Sequence, residues 1–574
     1  MRPFPRGAVA FTVASLALAL CLSSVACKRL LAPFRSPPSL AIRAAAEGRK
    51  AALGVGLLPD LDRSLNRIEA VAQAINVPFD VAATRTKILA GLKLPASASK
   101  AISMSMPIAL VLLPPAAPGK DPEATAAFQL KSADAGQEVV RAFGKPIATK
   151  DDAANFKQEN GESFWLWHKN NDIVVSTSLD ALVTSAALAM EALAKPEEDL
   201  VVTLHPDAIA KSQGTDLKSA LAKLVNDLRV TAVAGGQSPS MMAVIQSIVQ
   251  TIGDKVSDVD EAQLSLHIDA TLGGTIVAKL KPKAGSGLGT LIAKPAPYAF
   301  DPAVLDGGEP FMLAASSPIP WLADAWRALM PSLSQSAEGA ALAKPLEAVI
   351  TSLTGAFTVA ARIRDKQSQQ VGVYQLTPTT SADAYLDQVA ALYKSPDLAK
   401  LFASFDLKVN PKIAREKNLV SGELKLDVGK LPAEQAAAMK SVLGDKYIFA
   451  MAAETGRAVM TTGRDARAIV KAVLAAGPAK AAPAGPIASA LDETRADDAF
   501  AYVDLMQSLR LGLAATPMGA VLGQLPAMAA LNMPMWFSYR GGPEATFGWR
   551  IPMSTVRSVG SLVPLLGMLS GGTP

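Results

Sequence analysis

Cysteine is almost absent from this chain. Its two cysteines among 574 residues are Cys21 and Cys27, and Cys21 lies inside an apolar N-terminal run. A chain cut before Cys27 would keep a single thiol, which excludes an internal disulfide and a metal site built from cysteines. Histidine is nearly as scarce, because His168, His205 and His267 are the three present, at spacings unlike those of metal ligands. We therefore expect neither thiol chemistry nor a bound metal in the folded body.

Sequence motifs of the common enzyme classes are missing as well. The chain has no His-Glu-x-x-His, Gly-x-Ser-x-Gly, Walker or Gly-x-Gly-x-x-Gly motif. Ser97 and Lys100 have the Ser-x-x-Lys spacing of penicillin-recognising enzymes, but neither Ser-Asp-Asn nor Lys-Thr-Gly accompanies them. No catalytic residue and no cofactor can be assigned. A non-catalytic protein is favoured, and an exported hydrolase with an unrecognised active site is the alternative.

Excess positive charge is confined to the first 50 residues. The whole chain has 56 Lys and Arg against 51 Asp and Glu, a net charge of +5. Residues 1–50 contain eight of these cations and one anion, so the remaining residues carry 48 cations and 50 anions. A nucleic-acid-binding protein needs a basic surface on its folded body. This distribution therefore argues against a nucleic-acid partner.

The N-terminus has the organisation of an export signal. Arg2 and Arg6 precede an uncharged run over residues 7–26, and Ser24 and Ala26 are small residues just before Cys27. Signal peptidase could cut there and release a secreted protein. An uncleaved run of this length could also span a bilayer.

The end of this run, Val25-Ala26-Cys27, also resembles the lipobox of bacterial lipoproteins, with Ser24 where leucine is usual. The resemblance implies a signal peptide over 1–26 and a lipid on Cys27. That lipid would hold the protein at a periplasmic or outer membrane, on the non-cytoplasmic side. Residues 27–50 are basic and contain prolines, which indicates a tether that could lie on anionic lipid or remain solvated.

The sequence after residue 50 indicates two diverged copies of one unit. Five sequence features recur in the same order, with offsets of about 250 to 300 residues typical of duplicated units with different loops. Examples are Phe128-Gln-Leu-Lys with Ser132-Ala-Asp-Ala, and Tyr374-Gln-Leu-Thr with Ser381-Ala-Asp-Ala. We expect copies over 51–296 and 307–572, each mixing amphipathic helices with antiparallel hairpins, which is an α+β fold. Such a body loosely resembles duplicated exported bacterial proteins of unknown function, which adds no site residues.

Periodicity orients several side chains. Apolar residues at helical spacing predict a helix over 179–193 with Ser178 as its N-cap. Alternation over 263–270 predicts a half-buried strand with Leu264 on the core side and Ser265 and His267 outside. The glycine pairs at 273–274 and 541–542 predict hairpin turns.

Acidic residues collect where predicted elements begin. Asp199 and Asp498 stand at matching places in the two copies, each just before an apolar strand. A paired acid site is one interpretation. A repeated strand entry, where turns commonly contain carboxylates, is the simpler one.

Two charge-free segments, 230–253 and 511–539, contain methionine. Close-packed buried helices would explain them, as would a site for a lipid, acyl chain or hydrophobic partner, because methionine-rich surfaces adapt to varied ligands. Membrane insertion is a third interpretation, although prolines interrupt the second segment. These segments favour a cell-envelope binding or scaffold protein whose partner is a lipid or another protein, and they specify no oligomeric state. The candidate ligand contacts are Met241, Met242, Met518 and Met528.

Overall fold

The computed structural model describes most of the chain after residue 40. The described residues are 41–91, 105–117, 121–157, 163–193, 198–212, 214, 219, 257–269, 271–292, 297–305, 309–316, 337–364, 367–404, 408–427, 429, 446–476, 485–513 and 531–569. They contain both helices and extensive antiparallel sheet, so the predicted α+β class is confirmed. No helix in these ranges is long and apolar enough to cross a lipid bilayer.

The described residues divide into two compact units. Unit 1 takes those within Met1–Asp216 and Glu261–Ile276, and unit 2 takes those within Leu217–Asp260 and Val277–Pro574. The first ten strands are β1 (Gly54–Leu58), β2 (Ile108–Leu113), β3 (Glu123–Gln129), β4 (Ala148–Lys150), β5 (Ala153–Lys157), β6 (Ser163–Lys169), β7 (Asp172–Ser176), β8 (Leu200–Leu204), β9 (Val259–Asp269) and β10 (Gly273–Pro282). The helices of unit 1 are α1 (Ala45–Ala51), α2 (Leu61–Ala74), α3 (Val81–Gly91), α4 (Ala133–Phe143), α5 (Leu179–Ala192) and α6 (Pro206–Ser212).

The antiparallel sheet of unit 1 has helices on both faces. Its strands lie in the order β9–β8–β1–β2–β3–β7–β6–β5–β4. Helices α1 and α5 cover one face, where Val111, Val174 and Leu182 are fully buried. On the other face, α2 and α4 pack Leu65 and Val139 into a second core.

Unit 2 is organised around a second antiparallel sheet, in the order β20–β19–β18–β11–β12–β13–β17–β16–β15–β14. Helices α11 (Ala466–Ala476) and α12 (Pro486–Glu493) contribute to the core on one face of this sheet. Helix α9 (Ala382–Lys394) contributes to the core on the other face. The strands are β11 (Phe311–Ala315), β12 (Leu353–Arg364), β13 (Gln367–Leu376), β14 (Lys408–Glu416), β15 (Leu419–Asp427), β16 (Lys446–Glu454), β17 (Arg457–Thr462), β18 (Ala499–Asp504), β19 (Pro534–Arg540) and β20 (Ala545–Pro552). The helices are α7 (Gly287–Ile292), α8 (Ala337–Thr351), α9 (Ala382–Lys394), α10 (Pro396–Ser404), α11 (Ala466–Ala476), α12 (Pro486–Glu493), α13 (Leu505–Leu513) and α14 (Met553–Leu569), with a 3₁₀ turn at Pro302–Val304.

Side-chain caps begin the helices that the sequence predicted. The Ser178 hydroxyl accepts a hydrogen bond from the Ala181 N–H at 3.0 Å, which confirms the predicted start of α5. Ser132 and Ser381 cap α4 and α9 in the same way, each bonding the N–H three residues on. A short polar side chain thus satisfies one of the first free amides of each helix.

The predicted orientation of strand 263–270 is wrong. Ser265 is buried, whereas Leu264 is 47% exposed. Helices α1 and α5 cover the face on which Val201, the cross-strand partner of Ser265, is buried, so the small polar side chain points inward. Alternation marks two faces of a strand, but only the neighbouring elements decide which face is covered.

The hairpin turns also differ from the prediction. Thr271 and Leu272 form the first turn, in which the Asp269 carboxylate accepts both of their N–H groups, and Gly273 already opens β10. The Thr271 hydroxyl and these amides hold the pKa of Asp269 at about 2. The second turn does contain Gly541 and Gly542. The two glycine pairs therefore do not occupy equivalent turn positions.

Candidate functional site

A row of side chains crosses four strands of unit 1 without becoming buried. Leu110 lies opposite Gly56, Gly56 opposite Val202, and Val202 opposite the exposed Leu264. A Cβ built at Gly56 would meet no described atom within 4 Å, so there is open space above the middle of the row. We call these four residues row 1. The row contains no charged or polar side chain.

A comparable row crosses five strands of unit 2. Phe537 is 38% exposed, and its ring stacks on Trp549 with centroids 5.3 Å apart. The other members are half-buried, and each lies opposite the next in the strand register. Row 2 consists of Val359, Leu313, Ala501, Phe537 and Trp549.

The exposed side chains of the two rows, Leu264 and Phe537, stand at matching positions relative to the acidic strand entries of their units. The Asp199 N–H donates to the Leu266 carbonyl at 2.9 Å, and the Asp498 N–H donates to the Tyr539 carbonyl at 2.7 Å. Two residues before each acceptor stand Leu264 and Phe537. Each row crosses strands about 4.8 Å apart and offers mainly apolar surface, with the indole N–H of Trp549 as the one polar group, so its chemistry is contact with an apolar ligand.

The ligand contacts predicted from the sequence lie outside the described residues. This holds for the lipid-bearing Cys27, for the methionines Met241, Met242, Met518 and Met528, and for the Ser97 and Lys100 pair. The described parts of segment 511–539 are the last residues of α13, at 511–513, and residues 531–539, which include most of strand β19. Met533 and Met535 there are buried in the core.

The Asp199 carboxylate is the most heavily bonded acid of unit 1. It is 2% exposed and accepts the Ile268 N–H at 2.7 Å and the Arg67 guanidinium at 2.9 Å. The Ser64 hydroxyl lies 3.3 Å away and His267 Nδ1 3.7 Å away. These bonds join α2 to strands β8 and β9, so a buried charge is compensated by its partners.

Asp498 makes the corresponding hydrogen bond in unit 2. Its carboxylate accepts the Gly541 N–H at 2.8 Å, just as Asp199 accepts that of Ile268. Each acid therefore bonds the strand that follows in its own unit. The geometry favours the repeated strand entry over the paired acid site.

A cavity of about 470 Å³ lies beside Arg63 and Arg67 on α2. Its charges are already engaged within the protein. The Arg63 guanidinium donates to the Glu198 carbonyl at 2.8 Å, Arg67 holds Asp199, and Arg85 pairs with Asp62. These pairs position α2 at the strand entry, which is a structural role.

Each histidine lies in a different setting. His168 packs over Gly136, His205 follows β8, and His267 is half-exposed beside Arg67. Within the described ranges, no three His, Cys, Asp or Glu side chains come together as metal ligands would.

All seven tyrosines stand at residue 298 or later. Four of them pack together where α9 meets the sheet, namely Tyr374, Tyr385, Tyr393 and Tyr447. Burial, with the nearby Tyr393 oxygen, raises the pKa of Tyr374 to about 12. Burial also raises the pKa of Tyr385, Tyr393 and Tyr447. These phenols therefore stay protonated at neutral pH, and Tyr393 stacks on Phe449 at 4.3 Å. The sequence offered no signal for this cluster, since its members come from β13, α9 and β16.

Comparison with protein-family models, curated proteins and solved structures found no match to this chain.

Proposed function

We propose that this protein is a non-catalytic cell-envelope lipoprotein, built from two diverged copies of one α+β unit, that binds the acyl chain of a lipid. The observation that carries the proposal is the pair of matching apolar rows. A large apolar side chain is exposed at the same register position of both sheets, Leu264 in one and Phe537 in the other. Solvent-exposed carbon at a repeated position favours a shared binding role over chance.

The strand register supports the duplication. Ile108 lies opposite Phe128, which lies opposite Ile173. In unit 2, Phe357 lies opposite Tyr374, which lies opposite Ala458. Ile173 lies as far before Ser178 as Ala458 lies before Gly463, and Ile108 lies as far before Ser132 as Phe357 lies before Ser381. Without a common origin, two sheets would have no reason to share both order and register. The copy bounds 51–296 and 307–572 stay a prediction.

Compensating side-chain volumes support it too. In unit 1, Gly136 on α4 leaves room for the His168 ring. At the matching places in unit 2 stand Tyr385 on α9 and Ala453 on β16, both buried. The large residue has moved from the strand to the helix while the space stays filled, as close packing requires.

The rows fit an extended hydrocarbon chain. Each runs across the strands as a continuous apolar surface, and the flanking positions Leu112, Leu204, Phe311 and Val503 are apolar as well. Fully burying an exposed side chain of this size yields roughly 1.5–3 kcal/mol. The exposed Leu264 and Phe537 would therefore be the main contacts of their rows.

Leu264→Gln combined with Phe537→Gln will abolish binding of a fluorescent fatty-acid probe. Each substitution alone will lower the stoichiometry from two probes per chain to one, because each row would bind independently. Fluorescence titration measures both quantities. The melting temperature will stay near the wild-type value for Leu264→Gln, since surface changes usually alter stability by under about 0.5 kcal/mol. It will fall modestly for Phe537→Gln, which also loses the stack on Trp549.

The matched control is Ile147→Gln combined with Ile350→Gln, one exposed apolar residue per unit, 61% and 36% exposed. It should bind the probe as the wild type does. Failure of the wild type to bind, or equal loss in the control, contradicts the proposal.

The proposed placement rests on Cys27. Wild-type protein expressed in a bacterium should carry a diacylglyceryl mass on Cys27 and sediment with membranes, whereas Cys27→Ser should lack both. The lipid is expected because the thiol would be the N-terminal residue after cleavage. Intact-protein mass spectrometry of both forms makes the comparison. Unmodified Cys27 in soluble wild-type protein would refute this placement.

A further inference from the structure

A second cavity lies at the far edge of the unit 2 sheet. Its volume is about 410 Å³, and it opens between strands β14–β16 and the first turn of α11. It lies on the opposite face of the sheet from row 2, the face to which Ala450 also points. Its lining contains three cations, two acids and a floor of small or apolar residues. The lining side chains used below are Lys412, Ser421, Glu423, Ile448, Arg464, Asp465, Arg467 and Ala468.

Two of these cations line the cavity from β14 and from the start of α11. Lys412 and Arg464 are exposed and form no ion pair within 4 Å with any described residue. Of the two lining acids, Asp465 also forms no ion pair with a described residue, and Glu423 is compensated. Lys446 Nζ lies 2.8 Å from Glu423, and this contact, with Lys412 and Lys425 adding to it, lowers the pKa of Glu423. Arg467 pairs with Glu416 on β14.

The start of α11 adds to the positive potential. Gly463 stands where Ser178 stands in unit 1, so α11 lacks the hydroxyl that caps α5. The Ala466 N–H donates only to the Gly463 carbonyl, at 3.1 Å. Free amides at a helix N-terminus attract anions, and the effect is largest within the first turn.

Unit 1 has different side chains at the matching place. By strand register, Trp165 in unit 1 corresponds to Ala450 in unit 2. Counting from Ser178 and Gly463, Leu179 corresponds to Arg464. Trp165 and Leu179 pack against the unit 1 core, whereas Ala450 is buried in the unit 2 core and Arg464 lines the cavity. The change from leucine to arginine makes this edge of the unit 2 sheet cationic.

The geometry points to a binding site in unit 2 for a phosphate group attached to an apolar body. Arg464 and Lys412 would hold the phosphate, the first by its paired N–H groups and the second as a point charge. Ile448 and Ala468 would contact the body. The cavity is several times larger than a free phosphate needs and is of the size that holds small organic ligands. The phosphate could belong to a soluble organic phosphate or to a phospholipid headgroup.

Calorimetric titration with phenyl phosphate tests the soluble source. We expect wild-type protein to bind it more tightly than inorganic phosphate, and Arg464→Leu, which restores the unit 1 residue, to weaken it at least about tenfold. Lys412→Ala should weaken it as well, and added salt should weaken all three proteins. The control is Lys394→Ala, an exposed cation of α9 on the other face of the sheet. Melting curves check that each variant is folded.

Vesicle sedimentation tests the lipid source. Phosphatidylcholine vesicles with and without phosphatidylglycerol are compared for wild type and Arg464→Leu, so the N-terminal anchor is the same in both. Loss of phenyl phosphate binding in the variant supports a soluble ligand, and loss of binding specific to phosphatidylglycerol supports a lipid headgroup. If neither probe binds wild type, or if Arg464→Leu binds both as wild type does, the inference is wrong. The fatty-acid probe of rows 1 and 2 is unaffected in either case.

Discussion

Gly136→Tyr will lower the free energy of unfolding by more than about 4 kcal/mol, a range reached only by severe core disruption. A Cβ at Gly136 would lie 2.0 Å from His168 Nε2, far inside van der Waals contact. His168 pairs with Ile173 near the end of β6, so its ring must rotate away from α4 before a side chain at position 136 can fit. Urea unfolding of the purified protein measures the loss.

His168→Ala in the same molecule should recover a large part of this loss, because alanine is what unit 2 has beside Tyr385. A double-mutant cycle gives the coupling energy, and residues in direct contact couple by about 0.5–3 kcal/mol or more. Gly274→Tyr is the control, since a Cβ there meets nothing within 4 Å. Additive effects of the two substitutions would show that the His168 ring does not fill the space above Gly136.

Asp199→Ala is expected to cost about 3–5 kcal/mol, because it leaves the Arg67 guanidinium without its buried counter-ion. It also removes the acceptor of the Ile268 N–H. Hydrogen exchange should therefore become faster at that amide, and the unfolding midpoint in urea should fall. The two readouts separate local opening of β9 from global loss of stability.

Asp180→Ala is the matched control for this change. Asp180 lies on α5 with its side chain 86% exposed and Arg43 at 3.9 Å, so its removal should alter stability by less than about 1 kcal/mol. Equal effects of the two substitutions would mean that the Asp199 bonds contribute nothing beyond those of a surface acid.

Patterns short enough to be read along the chain predicted local structure well. Ser178 begins a helix as expected, because an N-cap depends on the residue and the three that follow it, and Ser132 and Ser381 do the same. The predicted strand over 263–270 likewise falls in β9. The methionine segments and Cys27 stay predictions, since they lie outside the described residues.

The candidate sites depended on distant residues and were missed. Leu264 looked like a core residue by alternation, yet the covered face of β9 is the one with Ser265. The two cations of the second cavity are residues 412 and 464, which are separated by three strands in sequence. No local pattern connects such positions.

The sequence by itself determined the start of α5, the strand position within β9 and the α+β class, because these follow from caps and periodicity within a few residues. It also predicted the duplication, the export signal and the lipid on Cys27. Only the tertiary structure decided which face of each strand is covered, since that depends on where α1, α5 and α11 pack. The exposure of Leu264 and Phe537 is a consequence of that packing.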